Sequence, residues 1–142
     1  MKKLLSIVLC AMILLATPIA LAQPQVTERA EEDIELFYSD ASRVYTNLSI
    51  DASGNAKCSG TVTANEKTKK CSITVTLKKK SGSSWTSVCS WSGSGTGITG
   101  ASAGGTKKVS SGTYKVVVTG KIKDAKGNVL ETVTKESKSK TY

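Results

Sequence analysis

Cys71-Ser72-Ile73-Thr74-Val75-Thr76-Leu77-Lys78 alternates without a break. Cys71, Ile73, Val75 and Leu77 fall on one side, and Ser72, Thr74, Thr76 and Lys78 on the other. A period of two places every apolar residue on one face of a pleated strand. Ile, Val and Thr, branched at Cβ, suit that pleat. One face is therefore meant for a core and the other for water.

The same period runs outward from this strand in both directions. Upstream, Val44, Thr46, Leu48 and Ile50 alternate with Tyr45, Asn47 and Ser49. The turn cluster Asp51-Ala52-Ser53-Gly54-Asn55 follows, and then Ala56, Cys58, Gly60, Val62 and Ala64 alternate with Lys57, Ser59, Thr61 and Thr63. Downstream, Lys79-Lys80-Ser81-Gly82-Ser83-Ser84 predicts a hairpin into Trp85–Trp91. Residues 92–106 hold six glycines and read as a loop, with at best a weak edge strand around Gly97–Gly100. Order returns at Thr113–Ile122, where Tyr114, Val116, Val118, Gly120 and Ile122 share a face. Asp124-Ala125-Lys126-Gly127-Asn128 marks a tight turn into a last strand from Val129 to about Lys135. Six or seven short strands with no helix between them predict an all-β, antiparallel sandwich over residues 42–142. Ser111-Gly112-Thr113-Tyr114 leading into the Val-rich strand resembles the penultimate strand of immunoglobulin-like domains, so the expected fold is an immunoglobulin-like sandwich.

The beginning of the chain is of a different kind. Lys2 and Lys3, an apolar run from Leu4 to Leu15, and Ala20-Leu21-Ala22 form the three parts of an export signal. Residues 1–22 are expected to be removed, leaving Gln23 first and 120 mature residues. An uncleaved anchor is the alternative, since this run is just long enough to span a bilayer. Pro18 and the small-x-small ending favour cleavage. Residues 23–41 form an acidic leader, with Glu28, Glu31, Glu32, Asp33, Glu35 and Asp40 against Arg29. Ala30, Ile34, Phe37 and Tyr38 recur at helical spacing there, with Thr27 as a possible cap.

Charge is correspondingly uneven. Residues 42–142 carry 17 basic and 5 acidic side chains, a balance of +12. A domain this basic draws anions towards itself through its long-range field. Lysines on solvent faces also keep strands from pairing edge to edge, which is the simpler reading of them.

Several short stretches resemble a domain-of-unknown-function family of small secreted proteins from Gram-positive, clostridia-like anaerobic bacteria. They are Leu48-Ser49-Ile50-Asp51-x-Ser53-Gly54, Lys79-Lys80-Ser81-Gly82-Ser83-Ser84-Trp85 with Val88, Ser90 and Trp91, Ser111-Gly112-x-Tyr114-x-Val116, and the closing Ser139-Lys140-Thr141-Tyr142. The resemblance spans about residues 44–142 and rests on turn and strand motifs. It implies the sandwich fold and export, and it brings no functional site with it.

Candidate chemistry is sparse. There is no histidine, so a cysteine or serine nucleophile would lack its usual base, and no Cys-x-x-Cys spacing suggests zinc. Neither catalysis, a metal nor a cofactor is expected. Outside the signal the cysteines are Cys58, Cys71 and Cys89, which in an oxidising compartment read as one disulfide and one remaining thiol. Both Cys58 and Cys71 lie on apolar faces, which favours Cys58–Cys71. Cys71–Cys89 and Cys58–Cys89 compete with it. If Ser81-Gly82 is a two-residue loop, Val88 opposes Val75 on the core side, and Cys89, Trp85 and Trp91 point outwards; a bulge would overturn this.

Trp85 and Trp91, with Lys78, Lys79 and Lys80, are then the candidate ligand-binding residues: aromatic faces for sugar rings and lysines for acidic substituents. The competing reading has one tryptophan plugging an end of the sandwich and the other covered by lysine stems. Anionic cell-wall polymers or glycans are the expected partners. Nucleic acid is not, because aromatic and basic residues do not interleave along the strands. A secreted protein-interaction module, or a bacteriocin-like effector or immunity protein, is the second expectation, with the acidic leader masking the basic face.

Overall fold

The computed structural model describes residues 38–142. The export signal and residues 23–37 of the acidic segment, including its expected helix, lie outside the described residues. Eight strands form: β1 (Ala41–Ile50), β2 (Asn55–Ala64), β3 (Lys70–Ser81), β4 (Ser84–Thr96), β5 (Ala101–Lys108), β6 (Thr113–Lys123), β7 (Val129–Glu136) and the two-residue β8 (Lys140–Thr141). A single 3-10 turn, Gly97–Thr99, joins β4 to β5. All pairings are antiparallel. One sheet has the order β1-β2-β5 and the other β4-β3-β6-β7, with β8 also on β6.

This is an antiparallel β-sandwich. It departs from the constant-type immunoglobulin order in one strand: β4 lies beside β3 instead of joining the β1-β2-β5 sheet. Tyr114, at the start of β6, is 1 % exposed and donates its hydroxyl hydrogen to the carbonyl oxygen of Ser110 at 2.7 Å, the corner contact of such sandwiches.

The alternating residues behave as their period requires. Val44 and Leu48 of β1, Ala56, Cys58, Val62 and Ala64 of β2, Cys71, Ile73, Val75 and Leu77 of β3, and Tyr114, Val116, Val118 and Ile122 of β6 make one buried cluster. Where β2 crosses the larger sheet, the side chains show its course. Methyls of Val62 and Val133 crowd the space over Gly120, and methyls of Val118 and Val75 crowd the space over Gly60. Moving along β2 from Val62 to Gly60 therefore shifts the contact from β6 and β7 to β6 and β3. Two aligned sheets offset by roughly 30° cross in this way.

Two connections are built alike. Asp51 accepts hydrogen bonds from the backbone and side-chain amides of Asn55, and Asp124 does the same with Asn128. These bonds hold both carboxyls below the usual range, through the Asn55 backbone first for Asp51 and the Asn128 side chain first for Asp124.

Two expectations change. Residues 92–106 are not a loop: they supply the end of β4, the 3-10 turn and most of β5. Strong pairing of β4 with β3 and of β5 with β2 overrides the low strand preference of Gly and Ser. Glycine is needed where the chain changes sheets, because a Cβ at Gly93 or Gly95 would run into the carbonyls of Ser102 or Gly100. The other change concerns the end of the acidic segment, where residues 38–41 are part of the domain. Tyr38 packs on the core, Asp40 meets Lys69 Nζ at 2.7 Å, and the backbone N–H groups of Ser39, Asp40 and Ala41 donate to the Glu131 carboxylate at 3.2, 2.9 and 2.8 Å.

Candidate functional site

All five candidate ligand-binding residues come from the β3–β4 hairpin, so its register decides which of them meet. The loop is Gly82-Ser83, not Ser81-Gly82: Ser81 pairs with Ser84, and Gly82 takes the positive φ of 60° that a mirror-image hairpin turn requires. Pairing runs evenly to Lys78 opposite Ser87. Then Val88 is passed over, and Leu77 pairs with Cys89 and Val75 with Trp91. This bulge adds one residue to β4 and inverts every side chain beyond it.

The expected arrangement is overturned accordingly. Val88 is 38 % exposed, while Cys89 and Trp91 turn inwards against the core. The Trp91 indole lies over Gly105, at a place where no side chain would fit. Trp85, on the loop side of the bulge, stays outside opposite Lys80. Lys79 shares the inward parity at the end of the sandwich: its ammonium sits 5.5 Å from the Tyr114 ring centre and donates to Ser110 Oγ at 2.9 Å. Of the five, Lys78, Lys80 and Trp85 come together. Trp91 and Lys79 do not join them.

The outward face of β4-β3-β6-β7 extends this trio into a surface. Cross-strand rows run Ser90-Thr76-Val117-Glu136, Ser92-Thr74-Thr119-Thr134 and Ser94-Ser72-Lys121-Thr132. The central row is thus all hydroxyls, and hydroxyls also fill the flanking rows except at Val117, Glu136 and Lys121. At one end Lys70 pairs directly with Lys123, and beside them a shallow recess is lined by Lys70, Ser72, Ser94, Thr96 and Lys123. At the other end Lys78 pairs with Lys115. Like charges directly opposite each other destabilise a sheet. The Lys78–Lys115 pair is relieved locally, because Lys115 Nζ meets Glu136 Oε2 at 2.6 Å and stands 4.5 Å from the Trp85 ring centre. Sequence reasoning missed Lys115, 30 residues from Trp85 along the chain, although its alternation with Tyr114 and Val116 places it on this outward face.

The acids of residues 42–142 are all engaged in holding the fold. Asp51 and Asp124 close their turns, Glu66 joins Asp40 around Lys69, Glu131 binds the backbone ahead of β1, and Glu136 holds Lys115. The two carboxylates, Asp40 first, also raise the pKa of Lys69 above its ordinary value. Lys70 and Lys123, among the described residues, have no carboxylate partner.

No family model matches this chain, and no curated protein matches it.

Among the described residues no group of Cys, Asp and Glu is arranged to hold a metal ion, and no helix is long and apolar enough to cross a membrane. Cys58, Cys71 and Cys89 are thiols. The favoured Cys58–Cys71 bridge is ruled out by position. Cys58 lies two residues beyond Gly60 on β2, level with the Leu77 row, whereas Cys71 is six residues back along β3. At about 3.3 Å per residue this is roughly 20 Å, against the ~7 Å limit between disulfide Cα atoms. Cys71–Cys89 fails by the same six residues, since Cys89 pairs with Leu77 and Cys71 with Gly95.

Proposed function

We propose that this is an exported, non-catalytic protein that binds a linear anionic polymer of the cell envelope along the outward face of its larger sheet. Lys70, Lys121 and Lys123 receive anionic groups at one end, and Lys78 and Lys80 receive them at the other. The hydroxyl band between them hydrogen-bonds the polymer, and Trp85 lies against it. Lys115 positions Trp85 from the sheet side.

The observation that carries this reading is the directly opposed Lys70–Lys123 pair beside a recess with Ser72, Ser94 and Thr96, with no carboxylate partner for either lysine among the described residues. A bound anion relieves that repulsion. The spacing supports a chain-like ligand: Lys70 and Lys78 are eight residues apart on one strand, about 26 Å at the usual rise. Export is supported by the N-terminal pattern, and the resemblance to small secreted proteins fits the same compartment. The absence of histidine favours a binding role over a catalytic one.

The test is retention on purified Gram-positive cell wall, with long-chain polyphosphate as a defined probe and neutral dextran as control. Both anionic ligands are expected to bind at low ionic strength and to release as salt screens the charges. Lys70→Gln with Lys123→Gln weakens both. Absence of retention at low ionic strength refutes the proposal, and equal retention on dextran refutes its electrostatic basis.

A further inference from the structure

Among the described residues, Cys58 and Cys89 are the two thiols that the fold brings to one level between the sheets. The crossing of β2 over the larger sheet places Val62 above Gly120 on β6, and Gly60 above Val118 on β6 and Val75 on β3. Continuing the same two-residue step brings Cys58 over the row in which Leu77 of β3 pairs with Cys89 of β4. A second contact places Cys58 within one two-residue step of that row. Cys58 pairs with Gly105 on β5, and Gly105 is covered by the indole of Trp91, two residues from Cys89 on the same face of β4.

Glycine flanks Cys58 on two sides, Gly60 along its strand and Gly105 across the ladder, so no side chain on either residue holds the sheets apart. The bulge at Val88 is what turns the Cys89 side chain into this space.

We infer that Cys58 and Cys89 are a redox pair that closes into an inter-sheet disulfide when the protein meets a disulfide oxidant. The exchange is balanced: one cysteine thiolate attacks the oxidant disulfide, the second displaces it, and the oxidant leaves as two thiols. Two electrons and two protons pass from the cysteines to the oxidant. Cys89 is the entry point, being only partly buried where Cys58 is 3 % exposed. The thiol acidities agree with that order: burial pushes Cys58 up to about 12, with Cys89 as the second cause, while Lys107 partly offsets the burial that raises Cys89. Cys71 stays outside the pair, buried near the carbonyl of Gly97 at the other end of the sandwich.

The test is incubation of the folded, reduced full chain with oxidised glutathione, followed by alkylation in denaturant and non-reducing tryptic mapping. The expected product lacks two hydrogens and contains peptide 58–67 linked to peptide 81–107, with Cys71 alkylated. Cys71→Ala retains the link and Cys89→Ser abolishes it. The oxidised form should also unfold at a higher midpoint than the reduced form. A link through Cys71, or glutathione on Cys89 with no Cys58–Cys89 link in protein whose circular dichroism is unchanged, overturns the inference. The polymer-binding face takes no part in this chemistry, so the two proposals stand or fall separately.

Discussion

Trp85 and Trp91 stand six residues apart on β4, an even spacing that puts two residues on the same side of a regular strand. They face opposite ways. Trp91 turns inwards against the core, over Gly105, and Trp85 lies on the outside beside Lys80 and Lys115. One extra residue, Val88, separates a packing tryptophan from a surface one. The comparison shows how a single bulge divides one strand between the core and the outward face.

Removing either side chain should therefore have different consequences. Trp91→Ala empties space between the sheets and is expected to cost about 3 kcal/mol in denaturant unfolding, towards the low end for tryptophan because the indole is not fully enclosed. A loss below ~1 kcal/mol would place Trp91 outside the core. Next in size, Gly105→Ala puts a methyl group where the Trp91 indole lies, and the overpacking should cost about 2 kcal/mol. The same substitution made together with Trp91→Ala should cost far less than the sum, and strict additivity would contradict the contact. Trp85→Ala sits at the bottom of the scale. It gives up a surface cation–π contact with Lys115, worth roughly 0.5–1 kcal/mol, and leaves the midpoint of unfolding nearly unchanged.

Much of this was legible in the alternation. β1, β2, β3 and β6 bury the residues their period assigns, and the alternation of β3 puts Lys78 on the outward face. The bulge was not. Its only mark in the sequence is that Val88 and Cys89, both apolar, are adjacent and break the alternation. Nothing local says which of the two is passed over; the pairing of Leu77 with Cys89 settles it. The disulfide assignment failed for a related reason. Shared apolar character places Cys58 and Cys71 between the sheets but says nothing of their level along the strands, which depends on how the sheets cross. Residues 92–106 misled through composition, because Gly and Ser are poor strand formers in isolation and are required here by close backbone approach. The Lys70–Lys123 pair depends on a β3–β6 register between segments about fifty residues apart, which no local pattern carries.

The central claim is that a linear polyanion lies along the outward face from the Lys70 end to the Trp85 end. Two single-tryptophan proteins, Trp91→Phe and Trp85→Phe, report on the two sides of the sheet when quenched by neutral acrylamide. Long-chain polyphosphate should shield Trp85 in the first and leave Trp91 unaffected in the second, and pyrophosphate, too short to bridge about 26 Å, should shield neither. Polyphosphate that binds yet leaves Trp85 as open to acrylamide as before would contradict the account.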